Sequence, residues 1–173
     1  TALAIFGCLL DYKKISDEMR DDELTKLIKT IGYKEGLPVV INPGIINPKD
    51  FIDTVVKVRL PNPFMPDTPQ RIACDTSQKL AIRFGETVKA YEKSDSLKVS
   101  DLKLIPLVFA GWARYLMGMD DNLNKFELSP DPLLDKLVPM VADIKIGDSD
   151  IHSKLEKLFS DASIFGVNLY DVG

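Results

Sequence analysis

The chain has 173 residues, of which 45% are hydrophobic and 28% are charged. That balance is typical of a folded protein and excludes a disordered one, and the length suits one domain covering residues 1–173. The formal net charge of −4 repels phosphate backbones, so nucleic acid is not an expected partner. The most apolar stretch, residues 102–119, is interrupted by Lys103, Pro106 and Arg114, so no membrane span is expected.

The two cysteines indicate the cellular compartment of the chain, and its first residues indicate whether it is part of a longer protein. Cys8 and Cys74 both lie in apolar helical patterns, which favours reduced cysteines in a cytoplasmic protein over a disulfide scaffold. Thr1 leads directly into an apolar run without an initiator methionine, a basic segment or a polar leader. We therefore expect a piece of a longer protein.

Helical signals dominate the first half of the chain. The apolar run over residues 2–10 predicts a helix. The acids at residues 21–23 suit the start of a second helix, which Gly36 and Pro38 would end. Asn47-Pro48 predicts the start of another.

The second half continues the pattern after a stiff connector with four prolines, residues 60–70. The further predicted helices run from Thr68-Pro69 to about Tyr91, over residues 102–119 as the buried centre, from Asp131-Pro132 to about Val141, and over residues 151–159. No strand alternation is evident. The sequence thus predicts an all-α fold of about seven helices.

The residue inventory excludes several kinds of site. The ten glycines form no G-x-G-x-x-G turn, so no cofactor-binding residue is predicted. His152 is the only histidine, and a surface position is favoured for it over a catalytic role. The stretch DDNLN, residues 120–124, has the alternating oxygen-bearing side chains of a calcium-binding loop, but it lacks the glycine and the glutamate of such a loop. A plain turn is therefore favoured, and no metal is expected. Cys74 suits a half-buried helix position better than a nucleophile.

One charged stripe remains as a candidate ligand site. Steps of four residues would place Arg71, Asp75 and Lys79 along one helical face, and Arg83 would extend it. The ordinary interpretation is a solvated face with paired charges. The functional interpretation is a site for a hydroxyl-rich or carboxylate-bearing ligand, because Arg binds carboxylates bidentately and Lys donates to several oxygens.

At this stripe the sequence resembles a known family. The segment RLPNPFMPDTPQRIACDTSQK, residues 59–79, is similar to a signature of the long-chain mannitol dehydrogenase family, which includes mannitol 2-dehydrogenases and fructuronate reductases. Three further segments also resemble it: TALAIFGCLLDY at 1–12, AGWARYLMGMDD at 110–121 and SPDPLLDKL at 129–137. The resemblance implies a multi-helix C-terminal substrate domain of the 6-phosphogluconate-dehydrogenase-like type, with the N-terminal Rossmann domain absent.

The resemblance also implies a function. The full-length protein would be an NAD-dependent, metal-independent oxidoreductase, and Arg71 and Lys79 would bind its substrate. The family's catalytic motif, K-x-x-x-x-N-x-x-H, would lie upstream of Thr1, so the chain alone would be inactive. D-fructuronate/D-mannonate is the favoured substrate pair, with D-fructose/D-mannitol as the alternative.

A non-enzymatic helical interaction module is the alternative from another class. An apolar patch around the first helix, where a Rossmann domain would pack, would discriminate between the two.

Overall fold

The computed structural model describes residues 1–172. Its α-helices are α1 (Ala2–Leu9), α2 (Ile15–Glu18), α3 (Asp22–Thr30), α4 (Pro48–Thr54), α5 (Pro69–Ile72), α6 (Thr76–Leu80), α7 (Glu86–Glu92), α8 (Leu104–Leu116), α9 (Leu134–Val141), α10 (Ile151–Phe159) and α11 (Ala162–Phe165). Wider, π-helical turns extend α3 over Ile31–Gly36, extend α4 over Val55–Arg59, and join α6 to α7 over Ala81–Gly85. Short 3-10 turns lie at Leu37–Val39 and Val99–Asp101. Apart from an isolated bridge between Met119 and Lys125, the described chain has no β-structure, so the predicted all-α class is confirmed.

Several predicted helix boundaries are confirmed by their caps. The side chain of Asp21 accepts hydrogen bonds from the first backbone N–H groups of α3, and Asn47 does the same for α4. The helix expected over residues 151–159 has those bounds. Within residues 1–172 no helix is both long enough and apolar enough to cross a membrane.

The long helix predicted from Pro69 to Tyr91 is wrong in one respect, because it is interrupted before α6. Asp75 has a φ of 55°, in the left-handed region, and its backbone N–H donates to Pro130 O at 2.9 Å instead of continuing the helix. Asp is one of the few residues that tolerates this conformation. Arg71 and Lys79 consequently lie on two separate helices, and the stripe expected along one face does not form.

Helix α8 forms the centre of the domain. Its Trp112 is fully buried, and the Trp112 and Phe165 rings meet edge to face, with centroids 5.7 Å apart. The helix is the buried centre predicted from the sequence, but Pro106, Leu107 and Ala110 on it are exposed. One side therefore contacts the core while the other faces outward.

Helix α1 packs closely against α8 and α5. At Gly111 of α8, an added Cβ would lie 2.8 Å from the ring of Phe6, so only glycine permits this approach of the two helices.

A buried carboxylate caps the beginning of α8. Glu35 accepts hydrogen bonds of 2.8 Å from the backbone N–H groups of Lys103, Leu104 and Ile105. These are the donors that a helix start leaves without partners, and a negative charge there also complements the helix dipole. Glu35 thus joins the π-helical extension of α3 to the central helix α8.

Candidate functional site

A cleft of about 490 Å³ lies at the edge of the domain where α1 begins. Most of its lining is apolar and comes from α1, from α3 and α4 and from the turns that follow α3 and α4, whereas its polar groups are few. The polar and charged lining residues are Thr1, Ser16, Arg59, Asn62, Asp67 and Arg83. An apolar pocket with a few convergent polar groups is the usual form of a small-molecule site.

The Thr1 end of the cleft is crowded with positive charge. Arg83 Nη1 donates to Thr1 Oγ1 at 2.9 Å. Arg83 and Lys79 both lie close enough to the backbone nitrogen of Thr1 for their positive charges to act on it. Thr1, Arg83 and Lys79 therefore share one corner of the molecule.

The ammonium group of Lys79 is held at the interruption between α5 and α6. Lys79 Nζ donates to Ile72 O at 3.0 Å and to Cys74 O at 2.5 Å. These carbonyls are free because the helix ends there. An ammonium group has three donors, so one stays available to a ligand.

Arg71 extends from the last turn of α5 on the solvent side. Its guanidinium forms an ion pair with Asp67, and its side chain is 61% exposed. Neither Arg71 nor Lys79 is among the cleft-lining residues, although Asp67, the partner of Arg71, and Ile72, whose carbonyl accepts from Lys79, both line the cleft. The structure therefore places Arg71 and Lys79 next to residues that line the cleft.

A network of side chains holds the beginning of α6, and with it Lys79, in place. Asp131 Oδ2 accepts from Ser77 N at 2.8 Å and Asp131 Oδ1 accepts from Ser77 Oγ at 2.6 Å. Thr76 Oγ1 donates to the same carboxylate at 3.2 Å and accepts from Trp112 Nε1 at 3.0 Å. Asp131, expected only as a helix start of its own, thus also caps a helix that lies 54 residues earlier in the chain.

The sequence did not single out Glu18 of α2 as a candidate functional residue. The side chain is fully buried, and burial raises its pKa to about 8. Spacing held a signal for this burial, because Glu18 follows the buried Ile15 by three residues and so lies on the same face of α2.

The remaining polar candidates are accounted for locally. Asp120 Oδ1 accepts from the backbone N–H groups of Asn122 at 2.9 Å and Asn124 at 2.8 Å, which is the hydrogen bonding of a turn. His152 is exposed and contacts Tyr170. Across residues 1–172 no group of three or more His, Cys, Asp or Glu side chains is placed to hold a metal ion.

The apolar patch expected around the first helix is not there, because all but one residue of α1 is buried within the domain. Exposed apolar side chains are instead frequent over residues 40–64, which we term the apolar segment. Ile41 and Phe64 are 90% and 92% exposed. Single exposed apolar residues are ordinary, but so many in a short stretch indicate a contact surface.

Comparison with known proteins identifies relatives for the whole described chain. A family model described as the mannitol dehydrogenase C-terminal domain matches residues 1–172. A D-mannonate oxidoreductase of Thermotoga maritima is 58% identical over 174 residues, covering 100% of this chain and 32% of that protein. Mannitol dehydrogenase 2 of Saccharomyces cerevisiae is 30% identical over 164 residues, covering 92% of this chain and 31% of the relative.

A solved structure has the same fold. The Pseudomonas fluorescens mannitol 2-dehydrogenase, in a ternary complex with NAD and D-mannitol, matches with a TM-score of 0.82 and 24% identity. The match covers 99% of this chain and 32% of that one. The chain thus spans about a third of the length of the relatives it matches.

Proposed function

Because the chain belongs to the mannitol dehydrogenase family as its C-terminal domain, we propose that residues 1–173 form the substrate-binding domain of an NAD-dependent oxidoreductase. The full-length protein interconverts a 2-keto sugar or sugar acid and the corresponding polyol or aldonate. D-Fructuronate and D-mannonate are the proposed pair. The observation that carries this choice is the 58% identity to a D-mannonate oxidoreductase across the entire chain.

Lys79 and Arg71 are the proposed substrate-binding residues. The two carbonyls fix the Lys79 ammonium at the Thr1 end, and its remaining donor would bind a sugar oxygen. A substrate carboxylate at the mouth of the cleft would replace Asp67 as the partner of Arg71, since the guanidinium can bind carboxylates bidentately. The apolar floor would exclude water from the bound sugar.

The dinucleotide and the catalytic groups would belong to the rest of the full-length protein. The described residues do not fit a dinucleotide, because residues 1–172 have no strand that could lead into a glycine-rich phosphate turn. NAD would supply the hydride chemistry from an N-terminal Rossmann domain, and the 173-residue chain alone would be inactive. The apolar segment, residues 40–64, is the proposed contact with that domain, since it adjoins the cleft through Phe51 and Asn62.

The alternative substrate pair is D-fructose and D-mannitol. It is supported by the 30% identity to a yeast mannitol dehydrogenase, against 58% for the D-mannonate oxidoreductase. The family match gives the non-enzymatic interaction module no support. A cytoplasmic location is also part of the proposal, supported by the free thiols of Cys8 and Cys74.

The test compares two ketoses in the full-length protein. Arg71→Met should lower kcat/KM for D-fructuronate by roughly 10- to 100-fold, the effect of losing a charge-assisted hydrogen bond, and should lower it less for D-fructose, which has no carboxylate. Lys79→Met should lower kcat/KM for both ketoses. Lys93→Met, on the exposed end of α7, is the control and should change neither. Wild-type kinetics in both Arg71→Met and Lys79→Met would refute the assignment of these residues.

A further inference from the structure

Residues 129–131 connect the two short helices that carry the proposed substrate-binding residues. Arg71 lies in α5 and Lys79 lies in α6, and the chain between these helices is not helical. The three residues of the segment form hydrogen bonds to α5, to the interruption and to α6, with Gln70, Asp75 and Ser77 in that order. The segment therefore fixes how the two helices lie relative to each other.

The first of these hydrogen bonds holds the backbone from which Arg71 extends. Ser129 Oγ donates to Gln70 O at 2.7 Å. Helix α5 ends at Ile72, so the Gln70 carbonyl is among those that a helix end leaves to other donors. The Gln70 carbonyl and the Arg71 N–H belong to one planar peptide unit, and that N–H donates to Thr68 Oγ1 at 3.1 Å. This peptide unit is therefore held from both sides.

Ser129 is itself fixed to the central helix of the domain. Its side chain is buried, and its backbone N–H donates to Tyr115 Oη at 2.9 Å. Tyr115 lies in α8 and is also buried. Buried hydrogen bonds of this kind stay formed because water does not replace them. Ser129 thus transmits the position of the central helix to α5.

The two substrate-binding side chains depend on this anchor to different degrees. Arg71 is 61% exposed and its guanidinium binds only Asp67 of the same short segment, so its place is set by the backbone of α5. Lys79 extends from α6, which Asp131 caps through Ser77. A shift of α5 therefore displaces Arg71 while the backbone of Lys79 stays in place.

We propose that Ser129 is a positioning residue that holds Arg71 at the distance from Lys79 at which both bind one sugar acid. Ser129 contributes in this way to the preference for a ketose that has a carboxylate, although it does not contact the substrate. Misplacement of a binding group by about 1 Å is enough to lower a rate strongly. The inference rests on the proposed function, since it takes Arg71 and Lys79 as the groups that bind the substrate.

The kinetic test measures kcat/KM for D-fructuronate and for D-fructose in the full-length protein. Ser129→Ala should lower the ratio of the two values roughly 10-fold. A merely structural role would reduce the amount of active protein for both ketoses alike and would leave the ratio unchanged. Ser129→Thr keeps the hydroxyl and should keep the ratio. Ser100→Ala, at an exposed position, is the matched control and should behave as wild type.

Two further variants test whether Ser129 acts through Arg71. In an Arg71→Met background, Ser129→Ala should change the ratio less than about twofold, because the side chain that it displaces is absent. Tyr115→Phe removes the other end of the anchor while keeping the ring, and should also lower the ratio. The proposal is overturned by a wild-type ratio in both Ser129→Ala and Tyr115→Phe, or by an equal effect of Ser129→Ala with and without Arg71.

Alkylation of Cys74 tests the anchoring of α5 without turnover. Cys74 Sγ lies 3.9 Å from Gln70 O, the carbonyl that Ser129 binds, and Cys74 is half-buried whereas Cys8 is buried. Iodoacetamide should label Cys74 several-fold faster in full-length Ser129→Ala than in wild type, with Cys8 unlabelled in both, as measured by mass spectrometry. Equal labelling rates would overturn the anchoring by Ser129. Absence of ketose turnover by the wild type would instead refute the proposed function, so the two failures are distinguishable.

Discussion

Asp131→Ala should destabilise the domain because Asp131 caps α6 from a distant part of the chain. The substitution removes the acceptor of both the N–H and the O–H of Ser77, which is 1% exposed. Each buried donor left without a partner costs about 1–3 kcal/mol, so we expect a loss of about 4 kcal/mol. For a domain of this size that corresponds to a fall in Tm of about 8–16 °C.

Urea unfolding of the 173-residue chain followed by tryptophan fluorescence measures this loss. Trp112 is the only tryptophan, and its indole N–H donates to Thr76 within the same network. Asp135→Ala, an exposed acid in α9, is the control and should change the free energy of unfolding by less than about 0.5 kcal/mol.

A double substitution tests the cause of the loss. Ser77→Ala removes the hydroxyl that Asp131→Ala leaves without an acceptor, so the double variant should be more stable than the sum of the single effects by about 1–2 kcal/mol. Strict additivity, or an Asp131→Ala variant as stable as Asp135→Ala, would refute the reasoning.

Three further predictions concern other buried contacts. Gly85→Ala should cost about 3 kcal/mol in urea unfolding, because its Cβ would lie 2.1 Å from Phe165 O, a backbone atom that cannot easily move. Glu35→Ala should cost about 3 kcal/mol, because three N–H groups at residues 103–105 lose their acceptor. The pKa of Glu18 is raised from the usual 4.5 to about 8, so between these pH values the native state holds a proton that the unfolded state lacks. Its contribution to stability therefore falls as pH rises, and the unfolding free energy of wild type minus that of Glu18→Gln should decrease between pH 5 and 8.

Controls exist for each of the three. Gly36→Ala meets its nearest atom at 3.4 Å and should change stability by less than about 1 kcal/mol. Glu23→Ala, at an exposed position, is the control for Glu35→Ala. The Thr1 amino group, with its pKa lowered to about 5, gives a pH dependence of opposite sign in both proteins, and the subtraction removes the part of it that does not depend on Glu18. The first prediction would be contradicted if Gly85→Ala were as stable as Gly36→Ala, and the second if Glu35→Ala were as stable as Glu23→Ala. The third would be contradicted if the difference in unfolding free energy between wild type and Glu18→Gln did not change with pH.

The sequence was most informative where structure depends on local pattern. The apolar run of α1 and the spacing in α10 predict helices close to those found, and Asn47 caps its helix as expected. Such features depend on residues within a few positions of one another.

Features that depend on distant contacts were not predictable in this way. The i,i+4 charge pattern continues through Asp75, but the helix is interrupted there. Pro130 accepts a hydrogen bond from the backbone N–H of Asp75, and Asp131 accepts one from the backbone N–H of Ser77. Glu35 meets donors that lie 68 to 70 residues later, and no spacing in the chain indicates that contact. The i,i+4 charge pattern singled out Arg71 and Lys79, and the family resemblance gave them a substrate-binding role, but their partners, an acid and two carbonyls, became evident only in the folded chain.

The most direct test of the central claim is NADH oxidation by the full-length protein with D-fructuronate, D-tagaturonate, D-fructose and D-fructose 6-phosphate. The account predicts turnover with the highest kcat/KM for D-fructuronate, and none by the 173-residue chain measured alongside. Absence of turnover with all four ketoses would contradict the proposed dehydrogenase function. Turnover by the 173-residue chain alone would contradict the assignment of the catalytic groups to the remainder of the protein.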